Sequence, residues 1–167
     1  MTEKHWFIAL LSTLLILCDT ANAKEHWSGY INDKSLNGEP YGYVSSVSNS
    51  RPASKLRLLC HSDDVFTLYF DRHIIADSAT AIDIAVDNLP VVSLAVKRVD
   101  AGLVVSNQQP DFWKLIAQMA AGLTLVIDSG ARGWHQFSLS GFTNALMSNC
   151  GWSSEVEKYK TYLHHYR

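Results

Sequence analysis

Apolar residues recur at every second position over much of this chain, which is typical of strands with one buried face. A strand is predicted at residues 55–61, where Leu56, Leu58 and Cys60 occupy alternate positions and indicate a half-buried strand with Cys60 facing inward. Polar turns then join neighbouring strands into hairpins. The pattern predicts further strands at residues 41–48, 65–71, 82–87, 91–97, 103–106, 123–128 and 134–139.

A helical period replaces the alternation after residue 109. Pro110 suits a first turn, Asp111 lies near the positive end of the helix dipole, and Gly122 suits the carboxyl-terminal cap. We interpret Trp113, which flanks the apolar stripe, as a packing residue. The stripe itself falls at i, i+3, i+4 and i+7 and consists of Phe112, Leu115, Ile116 and Met119.

A second helix is predicted from near Ser140 to Asn149. Phe142, Leu146 and Cys150 recur on one face of it, so that both Cys60 and Cys150 face a core. Short strands followed by late helices predict an α+β fold: an antiparallel sheet or sandwich with two or three helices packed late in the chain. Residues 153–167 are interpreted as a polar tail or a short surface helix.

The first 23 residues have the three parts of a secretory signal peptide. Lys4 precedes an apolar run at 7–17, and Ala21-Asn22-Ala23 provides the small-x-small cleavage pattern. The run is shorter than the roughly twenty residues that span a bilayer. We therefore expect export to the periplasm or beyond it, a single globular domain at 24–152, and no integral membrane span after cleavage.

Cysteine usage fits an exported protein. Cys18 would leave with the signal peptide, and Cys60 and Cys150 would remain. An even number in an oxidising compartment favours a disulfide. The alternatives are two buried free thiols or a metal pair, although two cysteines without a nearby histidine make a poor zinc site. A loop of about ninety residues would stabilise the fold by up to roughly 4–5 kcal/mol.

The charge balance argues against a nucleic-acid partner. The whole chain carries 14 basic and 16 acidic residues. Removing Lys4, Glu3 and Asp19 with the signal peptide leaves 13 basic and 14 acidic residues. A near-neutral protein lacks the excess of positive charge that neutralises phosphates.

Residues 137–152 read Phe-Ser-Leu-Ser-Gly-Phe-Thr-Asn-Ala-Leu-Met-Ser-Asn-Cys-Gly-Trp. This segment resembles the end of type VI secretion-associated periplasmic proteins, the TagO/VasI-like family. Trp27-Ser28, the strand at 56–60 and the helix at 112–119 fit the family in the same order. The resemblance implies a non-catalytic accessory role in the periplasm. The matching residues are structural in type: Gly141, Phe142, Ala145, Leu146, Cys150, Gly151 and Trp152.

Motifs of catalysis are weak in this chain. His61–Asp64 holds a base, a hydroxyl and two carboxylates, but in consecutive positions, whereas the members of a triad meet across a fold. We interpret that segment as a turn, and Asp71–His73 as a hairpin end with a local ion pair. The sequence has no Gly-x-Ser-x-Gly, phosphate-loop or His-Glu-x-x-His motif. No catalytic residue is assigned.

One metal hypothesis concerns the amino terminus that cleavage would create. A free amine on Lys24, two backbone amides and the imidazole of His26 would surround an ion with four nitrogens, with Glu25 between them. That geometry suits Cu(II) or Ni(II). Apart from this hypothesis, no cofactor is expected.

Three function classes remain open. The favoured one is an exported, disulfide-tied binding or accessory protein with a protein partner in the cell envelope. An alternative is a small periplasmic cell-wall hydrolase that uses carboxylates such as Asp83, Asp87 and Asp128. Another alternative is an enzyme inhibitor that presents the loop at 129–133. The sequence leaves the oligomeric state open. Aromatic anchors for a partner would be Tyr41, Tyr43, Trp134 and Trp152.

Overall fold

The computed structural model of this protein describes residues 27–31, 42–61, 65–76, 78–100, 102–128 and 133–150. Several expectations lie outside these ranges. They are the signal peptide, the candidate metal site at Lys24–His26, the turn at 62–64, most of the loop at 129–133, and everything after Cys150, including Gly151 and Trp152.

Six antiparallel strands form the first sheet, sheet A. They are β1 (Ser28–Ile31), β2 (Gly42–Val47), β3 (Lys55–Cys60), β4 (Phe66–Asp71), β7 (Lys97–Val99) and β8 (Gly102–Ser106). Their order across the sheet is β1-β2-β3-β4-β8-β7. Four further antiparallel strands form sheet B: β5 (Ala81–Val86), β6 (Val92–Ala95), β9 (Thr124–Asp128) and β10 (Trp134–Ser138). Their order is β10-β9-β5-β6.

The predicted alternation places one face of each sheet in a shared core. On β3, Leu56, Leu58 and Cys60 are buried while the residues between them are half-buried. Sheet B follows the same rule, with Ile84 and Ile127 facing inward on neighbouring strands. One buried apolar cluster includes residues from both sheets and both helices. The predicted α+β class, with antiparallel sheets and late helices, is confirmed.

The first helix, α1 (Pro110–Ala121), begins and ends where the sequence predicts. Gly122 caps it, and its backbone N–H donates to the carbonyl of Gln118 at 2.8 Å. The cap has φ −94°, so left-handed backbone is not the reason for glycine here. A Cβ at this position would collide with the side chain of Val86, because α1 packs closely on β5.

The second helix, α2 (Phe142–Asn149), starts at Gly141, whose φ of 83° favours glycine. Phe142 is fully buried and meets the ring of Trp27 edge-on, with centroids 4.8 Å apart. The indole N–H of Trp27 donates to the carbonyl of Ser138 at 2.7 Å, so Trp27 anchors the start of the described chain. Neither helix in the described ranges has the length and apolar character needed to cross a membrane.

The predicted disulfide between Cys60 and Cys150 is confirmed. Their Cα atoms lie 5.5 Å apart, within the usual range for disulfides. Cys60 sits opposite Gly42 on the neighbouring strand β2. A Cβ on Gly42 would collide with the backbone oxygen of Asn149. The absence of a side chain at Gly42 therefore lets the end of α2 approach sheet A closely enough for the sulfurs to bond.

Two features differ from the sequence prediction. β1 forms at Ser28–Ile31, where no strand was predicted, and it pairs with β2. The strand predicted at 91–97 is divided into β6 and β7, which belong to different sheets. At the division, the N–H of Val96 donates to the carbonyl of Thr80 at 2.9 Å. The chain crosses between the sheets there without a glycine or proline to indicate the change.

Candidate functional site

The outward face of sheet B carries a row of exposed side chains across three strands. Asp83 on β5 faces Asp128 on β9, and Asp128 faces Trp134 on β10. Residues that are directly opposite in antiparallel strands have Cβ atoms about 4.5–5.5 Å apart. Trp134 is 69% exposed, a large fraction for so large an aromatic residue. We call this surface the sheet B face.

A shallow depression of about 440 Å³ lies beside Trp134. Val126 and Gln136 contribute to it from the sheet, and the segment from Asn49 to Arg51 forms another part of its wall. That segment belongs to residues 48–54, which connect β2 to β3 and are called here the 48–54 loop. The depression therefore joins a sheet B strand to a loop of sheet A.

Hydrogen bonds attach the 48–54 loop to the outer edge of β10. The N–H of Asn49 donates to the carbonyl of Gln136 at 2.9 Å. The hydroxyl of Ser50 donates to the carbonyl of Trp134 at 2.9 Å and accepts from the N–H of Gln136 at 3.1 Å. The backbone that carries Trp134 is thus fixed on this side, and the edge of β10 is partly covered by the loop.

The base of the loop is closed by two further hydrogen bonds. The N–H of Ser48 donates to the carbonyl of Ser54, and the N–H of Ser54 donates to the hydroxyl of Ser48, each at 2.8 Å. Both serines are buried. The Arg51–Pro52 peptide within the loop is cis. The loop is therefore a closed polar structure with Ser54 at the point where β3 begins.

Ser54 also contacts two histidines from different parts of the fold. Its Oγ lies 3.0 Å from Nε2 of His73, in the connection after β4, and 2.9 Å from Nδ1 of His135 on β10. The two imidazole rings are 6.2 Å apart, centroid to centroid. His135 is 4% exposed, and burial lowers its pKa below the ordinary value of 6.5, with a further lowering from the charge of His73. We call these three residues the serine–histidine cluster.

The cluster does not have the arrangement of a nucleophilic site. Ser54 is 1% exposed, so a substrate carbonyl has no approach to its hydroxyl. Its arrangement also differs from that of a triad, in which one histidine contacts the serine, because here both histidines contact Ser54. Among the described residues, no group of three or more His, Cys, Asp and Glu side chains is placed to hold a metal ion.

The structure brings together two of the three carboxylates that the sequence suggested for hydrolysis and places the third elsewhere. Asp83 and Asp128 face each other on open sheet, and neither lines the depression beside Trp134. Asp87 instead has a structural role, because its carboxylate accepts from the N–H groups of Leu123 and Thr124 at 2.8 and 2.9 Å. A facing pair outside a cleft lacks the enclosure that a hydrolase needs around its substrate.

Comparison with known proteins identifies a fold but no family. No protein-family model and no curated protein matches the sequence. Among solved structures, the fold is similar to that of invasion associated protein b from Bartonella henselae, with a TM-score of 0.50. The match covers 74% of this chain and 91% of that chain. The sequences are 17% identical, so the similarity concerns the fold alone.

A second depression, of about 300 Å³, lies near the turn between β7 and β8. Arg72 and Arg98 line it, together with Asp100. The guanidinium of Arg98 donates to the carbonyl of Ala76, which commits it to a structural contact. With an acidic side chain in the same wall, the two arginines do not form a purely cationic site for an anion.

Sequence reasoning missed the serine–histidine cluster. Asp71–His73 was interpreted as a hairpin end with a local ion pair, whereas Asp71 accepts the N–H of Lys55 at 2.6 Å and His73 contacts Ser54. One signal was available: His135 shares its strand parity with the buried Phe137 and Leu139. A histidine in an inward position requires a polar partner. The partner is more than eighty residues away in sequence, so the pattern could not identify it.

Proposed function

We propose that this protein is an exported, non-catalytic binding domain of the cell envelope and that it recognises a protein partner through the sheet B face. The disulfide supports a location in an oxidising compartment, because disulfides persist there. The buried position of Ser54 and the open position of Asp83 and Asp128 give no support to catalysis.

The exposure of Trp134 carries this proposal. A tryptophan contributes a large contact area at low entropic cost, and interface hot spots are enriched in it. Here its backbone is fixed by β9 on one side and by Ser50 on the other. Hydrogen-bonding groups surround it, with Gln136 two residues away and Asp128 opposite. An apolar anchor bordered by polar groups is the usual composition of a protein-binding surface.

The process that this domain serves is also proposed from similarity. The sequence resemblance to TagO/VasI-like proteins suggests an accessory role in type VI secretion. The solved protein with a similar fold is named as invasion associated, and that name likewise describes an association with a process. The resemblance to the TagO/VasI-like family is the one that favours an accessory role over a catalytic one.

Capture of envelope proteins by the mature chain tests the proposal. Immobilised wild type should retain a partner from solubilised envelopes, and Trp134→Ala should weaken that binding about tenfold or more, as expected for a hot-spot residue. Leu123→Ala is the matched control, because Leu123 is 76% exposed but lies away from Trp134 at the end of α1. Equal loss in both variants, or no loss with Trp134→Ala, would contradict the proposed surface.

A further inference from the structure

We infer that the serine–histidine cluster is a proton-sensitive clamp, which holds the 48–54 loop against β10 near neutral pH and releases it in acid. The clamp itself is a statement about conformation and requires no partner. Its consequence for recognition by the sheet B face rests on the proposed function.

The numbers of hydrogen-bond donors and acceptors in the cluster change when its histidines are protonated. A serine hydroxyl has one proton to donate, while a neutral imidazole has one donor and one acceptor nitrogen. Ser54 can therefore donate to one of the neutral rings and accept from the other, which satisfies both contacts near 3 Å. When both rings are protonated, each presents only N–H groups to Ser54. The hydroxyl then loses its acceptor within this pair.

Charge opposes the protonated form as well. Two imidazolium rings with centroids 6.2 Å apart repel each other, and burial of His135 strengthens the penalty because little water reaches it. On β9, the residue opposite His135 is the buried Ile127. The charged residues next to the cluster in the chain are Arg51 on the loop, Lys55 on β3, and Asp71 and Arg72 at the end of β4. Arg51 and Arg72 are exposed, and the carboxylate of Asp71 accepts the backbone N–H of Lys55.

The cluster is mechanically connected to the sheet B face. His135 lies between Trp134 and Gln136 on β10, and the 48–54 loop bonds to the backbone of both neighbours. Ser54 ends that loop. Loss of the acceptor of the Ser54 O–H and repulsion between the two charged rings should therefore free the bonds that Asn49 and Ser50 make to the edge of β10. Acid would alter the support of Trp134 and the wall of the depression together.

A metal ion is a poorer explanation of the same geometry. The cluster offers two imidazoles and one hydroxyl, whereas a structural zinc site uses four ligands. A proton needs no further ligand. Histidine is also the side chain whose ordinary pKa lies between pH 5 and 8, so the response falls within a range that proteins encounter.

Amide hydrogen exchange measured by NMR tests the clamp on the isolated mature protein. The relevant amides are those of Asn49, Ser54 and Gln136, which donate the loop hydrogen bonds. After correction for intrinsic exchange, their protection should fall about tenfold or more between pH 7.5 and pH 4.5, a range that extends well below the ordinary histidine pKa because burial lowers the pKa of His135. The amide of Leu68, in the centre of sheet A, should keep its protection.

Two substitutions replace the imidazole rings with amides, which have no titratable proton. His135→Asn places an amide near the position of Nδ1, and His73→Gln places one near the position of Nε2. Either variant should reduce the acid-induced loss of protection, and the double variant should abolish it. His61→Gln is the control, since His61 follows the end of β3 that is opposite to Ser54. Should His135→Asn fail to fold, His73→Gln alone still tests the effect, because His73 is only half-buried.

Equal protection at the two pH values in wild type would overturn the clamp. So would an unchanged acid response in the double variant. These results do not depend on partner capture. If the protein shows the acid response but captures nothing through Trp134, the clamp stands and the proposed function is wrong. If it captures a partner through Trp134 but shows no acid response, the proposed function stands and the clamp is wrong.

Discussion

Gly42→Ala should destabilise this protein through the neighbourhood of its disulfide. Gly42 is buried between Ile31 on β1 and Cys60 on β3. An added Cβ would collide with the backbone oxygen of Asn149 and lie 3.2 Å from the backbone oxygen of Tyr30. Neither atom belongs to a side chain that can rotate away. The end of α2 must therefore move outward.

The size of the effect follows from that movement. Restoring ordinary van der Waals contact requires a shift of about 1 Å at Asn149. The Cα atoms of Cys60 and Cys150 would then separate from 5.5 Å toward the upper part of the range that a disulfide tolerates. We expect the bond to form and the protein to lose about 1–3 kcal/mol from overpacking.

Chemical denaturation of Gly42→Ala and wild type, each oxidised and reduced, measures this loss. The penalty should be smaller after reduction, because Cys150 is then free to follow the displaced helix end. Gly29→Ala is the matched control, since its Cβ would meet the side chain of the same Asn149 rather than its backbone. Moving that side chain sacrifices its hydrogen bond to the carbonyl of Ala145, worth about 0.5–1.5 kcal/mol.

Two outcomes would refute the reasoning. The first is a cost for Gly29→Ala that equals or exceeds the cost of Gly42→Ala. The second is a Gly42→Ala penalty that reduction leaves unchanged, because the strain would then not pass through the disulfide.

Two further substitutions probe the core by the free energy of unfolding in urea. Phe142→Ala should cost about 3–5 kcal/mol, because it empties a fully buried site and removes the edge contact with Trp27. Met147→Ala, on the exposed face of α2, should change the stability little. A cost under 1 kcal/mol for Phe142→Ala would contradict the packing described. Gln118→Met should be neutral or stabilising by up to about 1 kcal/mol, because Oε1 of Gln118 is buried without a hydrogen-bond partner in the described structure and its amide serves only the exposed Pro90 carbonyl. A loss above 1 kcal/mol would show that the Pro90 bond matters more than the unpaired oxygen.

Local sequence signals predicted the elements that local physics determines. The strict alternation at 55–60 reports burial of one strand face, and the bounded stripe from Pro110 to Gly122 reports a helix, so both were placed correctly. The disulfide also followed from the sequence, because Cys60 and Cys150 were both in inward positions. These predictions needed only the spacing of the apolar residues and the face of the strand or helix on which each residue lies.

Contacts between strands that are far apart in sequence could not be predicted from local patterns. The facing of Asp83 and Asp128 depends on β5 pairing with β9, a register that no local pattern specifies. The convergence of Ser54 with two histidines needs both sheets to be assembled. Similarly, no glycine or proline occurs near Val96 in the segment 91–97, so the change from sheet B to sheet A is a consequence of tertiary packing.

The disulfide and the serine–histidine cluster occupy opposite ends of β3, and this predicts that their contributions to stability add. Cys60 ends the strand and Ser54 precedes it, a separation of about 20 Å along six residues. Because burial lowers the pKa of His135, the unfolded chain takes up the proton first as pH falls below 6.5. Stability should therefore be lost as pH falls from 6.5 through the lowered pKa, and should change no further through this group below it.

Cys150→Ser should subtract a few kcal/mol, at most about 4–5, at every pH, without changing the size of that acid loss. Sites so far apart usually add within about 0.5 kcal/mol. Urea unfolding of wild type, Cys150→Ser, His135→Asn and the double variant, at pH 7.5 and 4.5, measures the coupling directly. A coupling above about 1 kcal/mol would mean that protonation reaches the disulfide end of β3, and the clamp would then be a global feature of the fold rather than a local support of Trp134.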